Sequence, residues 1–251
     1  LTVVGQSYKQ AGDLAAAARA LQAGIEATGA FTDVERILFW RGHFLRNLAD
    51  VAYAEGDFGR ALALGREATN ALEEHVVRLP AEARTDETGR VLRSSLAATL
   101  ALLGNAERRQ GRLAEAEATL LRARALAREL GIAEVEAGAV GSLGWTALAR
   151  GDARAALARF DEARALGRRL DHVALLMSVE TGAARSLDAL GRGGEALEAF
   201  GRAMALVEDL RGRLSETDLR AGFLDDKQAI YHAAVRAALS QGREAEAFAF
   251  A

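Results

Sequence analysis

Six glycines in this 251-residue chain sit in one local setting, and that recurrence limits the fold more than any other feature. "YKQAGDLAAAARAL" turns at Gly12, "AYAEGDFGRALALG" at Gly56 and "AERRQGRLAEAEATL" at Gly111. "TALARGDARAALARF" turns at Gly151, "SLDALGRGGEALEAF" at Gly191 and "AALSQGREAEAFAFA" at Gly242. Five positions after each glycine stands an alanine: Ala17, Ala61, Ala116, Ala156, Ala196 and Ala247. Nine positions after it there is usually a larger residue, Leu21, Leu120, Phe160 or Phe200, with Gly65 and Ala251 departing. Seven positions before it the residue is small (Gly5, Ala49, Gly104, Gly144, Ala184), with Val235 departing. One proline and abundant Ala, Leu, Arg and Glu leave little room for strands. The pattern predicts helical hairpins, because two antiparallel helices approach closely only where small side chains sit at their crossing. Glycine supplies the backbone freedom that the turn needs.

These offsets resemble the tetratricopeptide repeat (TPR), a helix–turn–helix unit with small and large residues at fixed positions. The resemblance implies an all-α fold, a right-handed superhelical solenoid of about six TPR-like hairpins. The turn glycines are 44, 55, 40, 40 and 51 residues apart, more than the roughly 34 of the usual repeat, so extended repeats are expected. Residues 1–251 read as a single array with turns near 12, 56, 111, 151, 191 and 242, and with longer linkers at 73–90 and 211–226. Pro80 and the run Thr85-Asp86-Glu87-Thr88-Gly89 mark the first linker. The chain opens on Leu1 in helical register and finishes on "AEAFAFA" without capping glycine, proline or polar tail. Such helix ends leave carbonyls unpaired, and a piece cut from a larger protein is expected.

The stretch from Ala205 to Ala251 resembles a narrower group, the repeats that precede a CHAT domain, a caspase-like peptidase domain of bacteria. Leu219-Arg220, Phe223-Leu224, Lys227, Ile230-Tyr231, and Gly242-Arg243 through Ala247-Phe248 carry the resemblance; Gly222 replaces the family's usual serine. It implies a peptidase domain in cis, C-terminal to this segment, with its His and Cys beyond Ala251. It also implies that a signal received by the array reaches that domain through the 211–226 linker and the last hairpin.

The residues themselves carry no reaction. Cysteine is absent, which excludes disulfides, thiolate metal sites and a cysteine nucleophile here. Net charge is −3, with 32 basic and 35 acidic residues, so no global attraction to nucleic acid or anionic membrane exists. Lysine occurs only at Lys9 and Lys227, and the Ala, Gly, Leu and Arg usage is that of a GC-rich bacterial genome. No stretch approaches the roughly 18–20 apolar residues of a membrane span, and a soluble, cytoplasmic segment is expected. His43, His75, His172 and His232 are far apart in sequence without a metal-ligand spacing, and read as surface or interface histidines. Asp225-Asp226 and Glu73-Glu74 read as solvated helix ends, since adjacent helical residues do not share a face. No catalytic residue, cofactor or metal is expected.

The function is then expected in the concave groove that the first helices of such a solenoid line. In the repeat type that the chain resembles, residues ten, six and three before the turn glycine face that groove. Those positions hold Arg46, Asp50 and Tyr53 in the second unit, and Asn105 and Arg108 in the third. The fourth supplies Gly141 and Trp145, the fifth Arg185 and Asp188, and the sixth His232 and Arg236. Arginine and asparagine donors suit a peptide backbone or carboxylate. Gly141 lies one turn before Trp145 and predicts a notch beside an exposed indole, a pocket for an apolar side chain of a partner. The expected function is protein or peptide binding in the regulatory arm of a CHAT-type peptidase, without direct contact to nucleic acid or membrane. The alternatives are a free-standing TPR adaptor and the peptide-receptor module of a signalling regulator.

Overall fold

The computed structural model describes residues 1–213 and 228–250, and these form twelve α-helices and no strand. The first three hairpins are α1 (Thr2–Gln10) with α2 (Leu14–Ala27), α3 (Val34–Ala54) with α4 (Phe58–Arg78), and α5 (Glu87–Arg109) with α6 (Leu113–Leu130). The next three are α7 (Ala133–Ala149) with α8 (Ala153–Arg169), α9 (Val173–Ala189) with α10 (Gly193–Arg213), and α11 (Gln228–Ser240) with α12 (Glu244–Phe250). The chain divides into two compact units, Leu1–Ala139 and Val140–Ala251, and the division falls within α7.

All six turn glycines have positive φ, between 68° at Gly242 and 83° at Gly151, a region that side-chain-bearing residues avoid. The N–H after each glycine reaches back to a carbonyl of the last helical turn, as from Asp13 to Tyr8 (2.9 Å) and Asp152 to Ala147 (3.0 Å). The second helix then starts in one of two ways. After Gly12, Gly56 and Gly151 comes an aspartate whose carboxylate accepts the N–H three residues on, at Ala16, Arg60 and Ala155 (2.8–2.9 Å). After Gly111, Gly191 and Gly242 comes an arginine that pairs with a glutamate three residues on: Arg112 with Glu115, Arg192 with Glu195, Arg243 with Glu246. Its own backbone N–H and then Arg112 hold the Glu115 carboxyl below the usual carboxylate range, and Arg192 does the same for Glu195.

Within the hairpins, the large residue nine after the turn sits over the small one seven before it. A methyl group added at Gly5 would lie 2.7 Å from Leu21 Cγ, and one at Gly104 would lie 2.6 Å from Leu120 Cγ. In the second hairpin Ala49 and Gly65 occupy those positions, and the wedge moves outward: Leu72 of α4 presses on Gly42 of α3. Gly65 instead faces Leu103 of α5. In the second unit Phe160, fully buried, is wedged between Gly144 of α7 and Gly182 of α9. Glu180, 3% exposed, is shared by two arginines from flanking helices, Arg164 of α8 (2.6 and 3.2 Å) and Arg202 of α10 (3.0 Å). Burial opposes the charge on Arg164, but Glu180 and Asp161 outweigh it and raise its pKa.

The 55-residue spacing between Gly56 and Gly111 is taken up mainly by longer helices rather than by a linker over 73–90. Helix α4 runs through Arg78, and α5 starts at Glu87 with Asp86 as its cap, accepting from Gly89 N (3.1 Å). Between them Arg84 closes the end of α4 by donating to Leu79 O (3.0 Å) and Val77 O (2.7 Å). Of the 211–226 segment, α10 covers the start up to Arg213, and 214–226 lies outside the described residues. Two turns carry no signature at the repeat offsets: Gly131 (φ 70°) between α6 and α7, and Asp171 (φ 49°) between α8 and α9. Among the described residues no helix is long and apolar enough to cross a membrane.

Two glycines one turn apart on α7 have opposite packing. A methyl group at Gly144 would lie 2.7 Å from the Phe160 ring, whereas at Gly141 it would meet Leu175 Cδ1 at 3.4 Å and Val179 Cγ2 at 3.7 Å. Urea unfolding should therefore separate them. Gly144→Ala is expected to cost about 1–3 kcal/mol by overpacking, and Gly141→Ala to stabilise by up to about 1 kcal/mol through helix propensity. Shifts of the same sign would contradict this packing.

Candidate functional site

In the first unit the faces of α1, α3 and α5 carry a chain of polar contacts. Gln6 Nε2 and Arg46 Nη2 both donate to Asn47 Oδ1 (3.3 and 3.4 Å), and Asn47 Nδ2 donates to His43 O (2.8 Å). Lys9 of α1 forms an ion pair with Asp50 of α3. Burial pushes the pKa of Arg46 down, partly offset by Asp50; burial does the same to Arg108, partly offset by Tyr53. The Nε atoms of both arginines are buried without a hydrogen-bond partner. Asn105 turns its amide nitrogen to Ala101 O on its own helix (3.1 Å). The predicted residues of this unit thus form two small groups, Arg46 with Asp50 and Tyr53 with Arg108, while Asn105 is spent locally.

Of two histidines read as surface or interface groups, His75 is buried in this unit and His43 is half-buried. His75 is 5% exposed, and the Phe39 ring contacts both His75 and His43 (centroids 6.1 and 4.4 Å apart). His43 Nδ1 is 2.9 Å from Phe39 O, which can only accept, so Nδ1 carries the proton. Nε2 of the neutral ring then accepts from the Ser95 hydroxyl of α5 (3.0 Å). Burial lowers the pKa of both histidines, and Arg46 and His75 lower that of His43 further. No group of three His, Cys, Asp or Glu side chains placed to hold a metal ion occurs among the described residues.

The second unit contains a cavity of about 690 Å³ walled by α7, α9, α10 and α11. Four predicted residues meet there, Trp145, Arg185, His232 and Arg236. The indole is half-buried, packs edge-on against Phe160 (5.3 Å) and donates from Nε1 to Ser178 Oγ (3.0 Å). The Arg185 guanidinium lies 5.9 Å from the indole centroid. Met177, Leu210, Ile230 and Ala233 add apolar wall, and Ser178 and Thr181 add hydroxyls. Two predicted residues fall elsewhere. Asp188 is exposed and does not line the cavity. Gly141 is buried, and Leu175 and Val179 of α9 close over it, leaving room for a methyl group but not for the side chain of a partner.

The offsets ten, six and three missed part of this wall. Ser178 and Ala229 stand thirteen residues before Gly191 and Gly242, so extending the same helix face by one turn would have found them. Leu210 comes from a second helix, where no register rule applied.

No family model and no curated protein matches the chain. Solved structures do. The crystal structure of BtubC from P. vanneervenii is 21% identical with a TM-score of 0.66, over 93% of this chain and 86% of that one. A Rap protein complexed with competence and sporulation factor is 15% identical with a TM-score of 0.68, over 98% and 70%. The TPR-like repeats of a kinesin light chain from Podosopora anserina are 19% identical with a TM-score of 0.58, over 84% and 94%. The chain has the all-α fold of TPR-like repeat proteins.

The neutral His43 ties stability to pH with a definite sign. Its folded pKa lies below the ordinary value of about 6.5, so the unfolded chain binds more protons just below that pH. Stability from this group is complete above about pH 6.5 and declines as pH falls toward the folded value. His43→Gln keeps a donor and an acceptor without the titration. Urea midpoints between pH 7.5 and 5 are expected to fall less in this variant than in the parent; equal falls would refute a neutral, half-buried imidazole.

Proposed function

We propose that this chain binds a segment of another protein on the first-helix faces of its hairpins and performs no chemistry itself. The observation that carries this reading is the cavity at Trp145. Its volume of about 690 Å³ falls in the range of roughly 300–1,000 Å³ typical of ligand sites, and it joins an apolar wall to a few convergent polar groups. Likeness in fold to a Rap protein solved with competence and sporulation factor supports the same reading, and favours a receptor for a signalling peptide as its second form.

The finer reading is a regulatory arm of a CHAT-type caspase-like peptidase, with the peptidase domain in cis as its second partner. The tail residues support it. Ile230 is buried, Tyr231 donates to Glu208 Oε1 (2.9 Å), Gly242 forms the last turn and Ala247 is buried. Burial and the contact with Glu208 push the Tyr231 hydroxyl up to about 12, so this latch between α10 and α11 stays protonated at neutral pH. Leu219, Arg220, Phe223, Leu224 and Lys227 lie outside the described residues.

Panning a random peptide display library against the immobilised chain tests the binding reading. Selected peptides are expected to lose at least tenfold in affinity in Trp145→Ala and in Arg185→Ala, and to bind Trp40→Ala normally. Binders indifferent to both cavity substitutions, or no enrichment, would overturn it. The native gene beyond Ala251 tests the context: an α/β domain bearing a His–Cys dyad supports the peptidase arm, and its absence leaves the adaptor.

A further inference from the structure

We infer that the cavity at Trp145 selects an acidic segment, one with an Asp or Glu carboxylate beside a bulky apolar side chain; this rests on the peptide-binding reading above. The first argument is charge. Three side chains at its wall are Arg185, Arg236 and His232, and no aspartate or glutamate is among the described residues lining it. Elsewhere the chain pairs arginine with glutamate repeatedly, at Arg112, Arg164, Arg192 and Arg202 among others. Arg185 and Arg236 have no ion pair among the described residues, and both are exposed at the cavity. Two guanidiniums facing one cavity, without an ion pair among the described residues, offer fork-shaped donor sets that match a carboxylate.

The second argument is pre-organisation. The Trp145 ring is fixed by Ser178 and Phe160, and Arg185 is steadied at the ring face. The ring thus holds the guanidinium near the cavity mouth and lowers the rotamer loss on binding. The third is shape. Met177 and Ile230, both under a tenth exposed, lie at the base of the wall, so an apolar group entering there leaves water while the carboxylate stays at the rim with the arginines. Apolar burial supplies affinity, and the arginines supply choice of partner and speed of association.

Fluorescence anisotropy with three labelled octapeptide pools tests this. One alternates Glu or Asp with Leu, Ile or Phe; the second has Gln or Asn at the acidic positions; the third has phosphoserine there. The acidic pool is expected to bind at least tenfold tighter than the amide pool, to weaken as salt rises from 50 to 300 mM, and to lose its advantage in Arg185→Gln/Arg236→Gln. Both substituted residues are exposed, and unchanged circular dichroism confirms that the variant folds. Equal binding of acidic and amide pools, abolished by Trp145→Ala, would overturn the acidic preference and leave peptide binding standing. Binding of the phosphoserine pool alone would overturn it too. If no pool binds and display selects nothing, both readings fall.

Discussion

The packing of one large side chain against one missing side chain sets the distance between the helices of a hairpin. Leu21 on Gly5, Leu120 on Gly104 and Phe160 on Gly144 are three instances at identical offsets from the turn. Each contact brings two backbones close enough for the alanine rows beside it to become fully buried, as at Ala17, Ala116 and Ala156. Close approach then makes short side chains sufficient to exclude water, which is how hairpins so rich in alanine still have dry interiors. Phe160 does this twice, against Gly144 and Gly182, and so couples one hairpin to the next. The Trp145 ring rests on the same phenylalanine, so the cavity wall inherits its rigidity from the core behind it.

Much of this was legible in the sequence because the constraints are local and recur. A left-handed turn needs glycine, a crossing needs a small residue, and both needs fall at fixed offsets from each other. Gly131 and Asp171 escaped because turns between hairpins vary in length and have no fixed partner. The linker expected over 73–90 shrank for a related reason: Pro80 and the polar run after it mark a break, but not how far the helices on either side extend.

The site was legible in part. Register tells which face of a helix a residue lies on, and that sufficed for Trp145, Arg185, His232 and Arg236. It does not tell what the neighbouring helix puts against that face. Gly141 is on the predicted helix face, yet Leu175 and Val179 cover it. Leu210 enters the wall from a helix with no assigned role. His43 and His75, thirty-two positions apart, share one phenylalanine that no spacing rule would link to both.

A chain that reuses one hairpin pattern faces a hazard of its own: a hairpin can dock on the wrong neighbour, or slide by one turn, and still bury alanine against glycine. Glu180 removes that tolerance. Its carboxylate is satisfied only when Arg164 of α8 and Arg202 of α10 arrive on either side of α9. Any misplaced docking would strand a charge in an apolar interior, at a cost of several kcal/mol. The triad acts as an address for α8, α9 and α10 of the second unit, holding three helices that share one grammar in a single order.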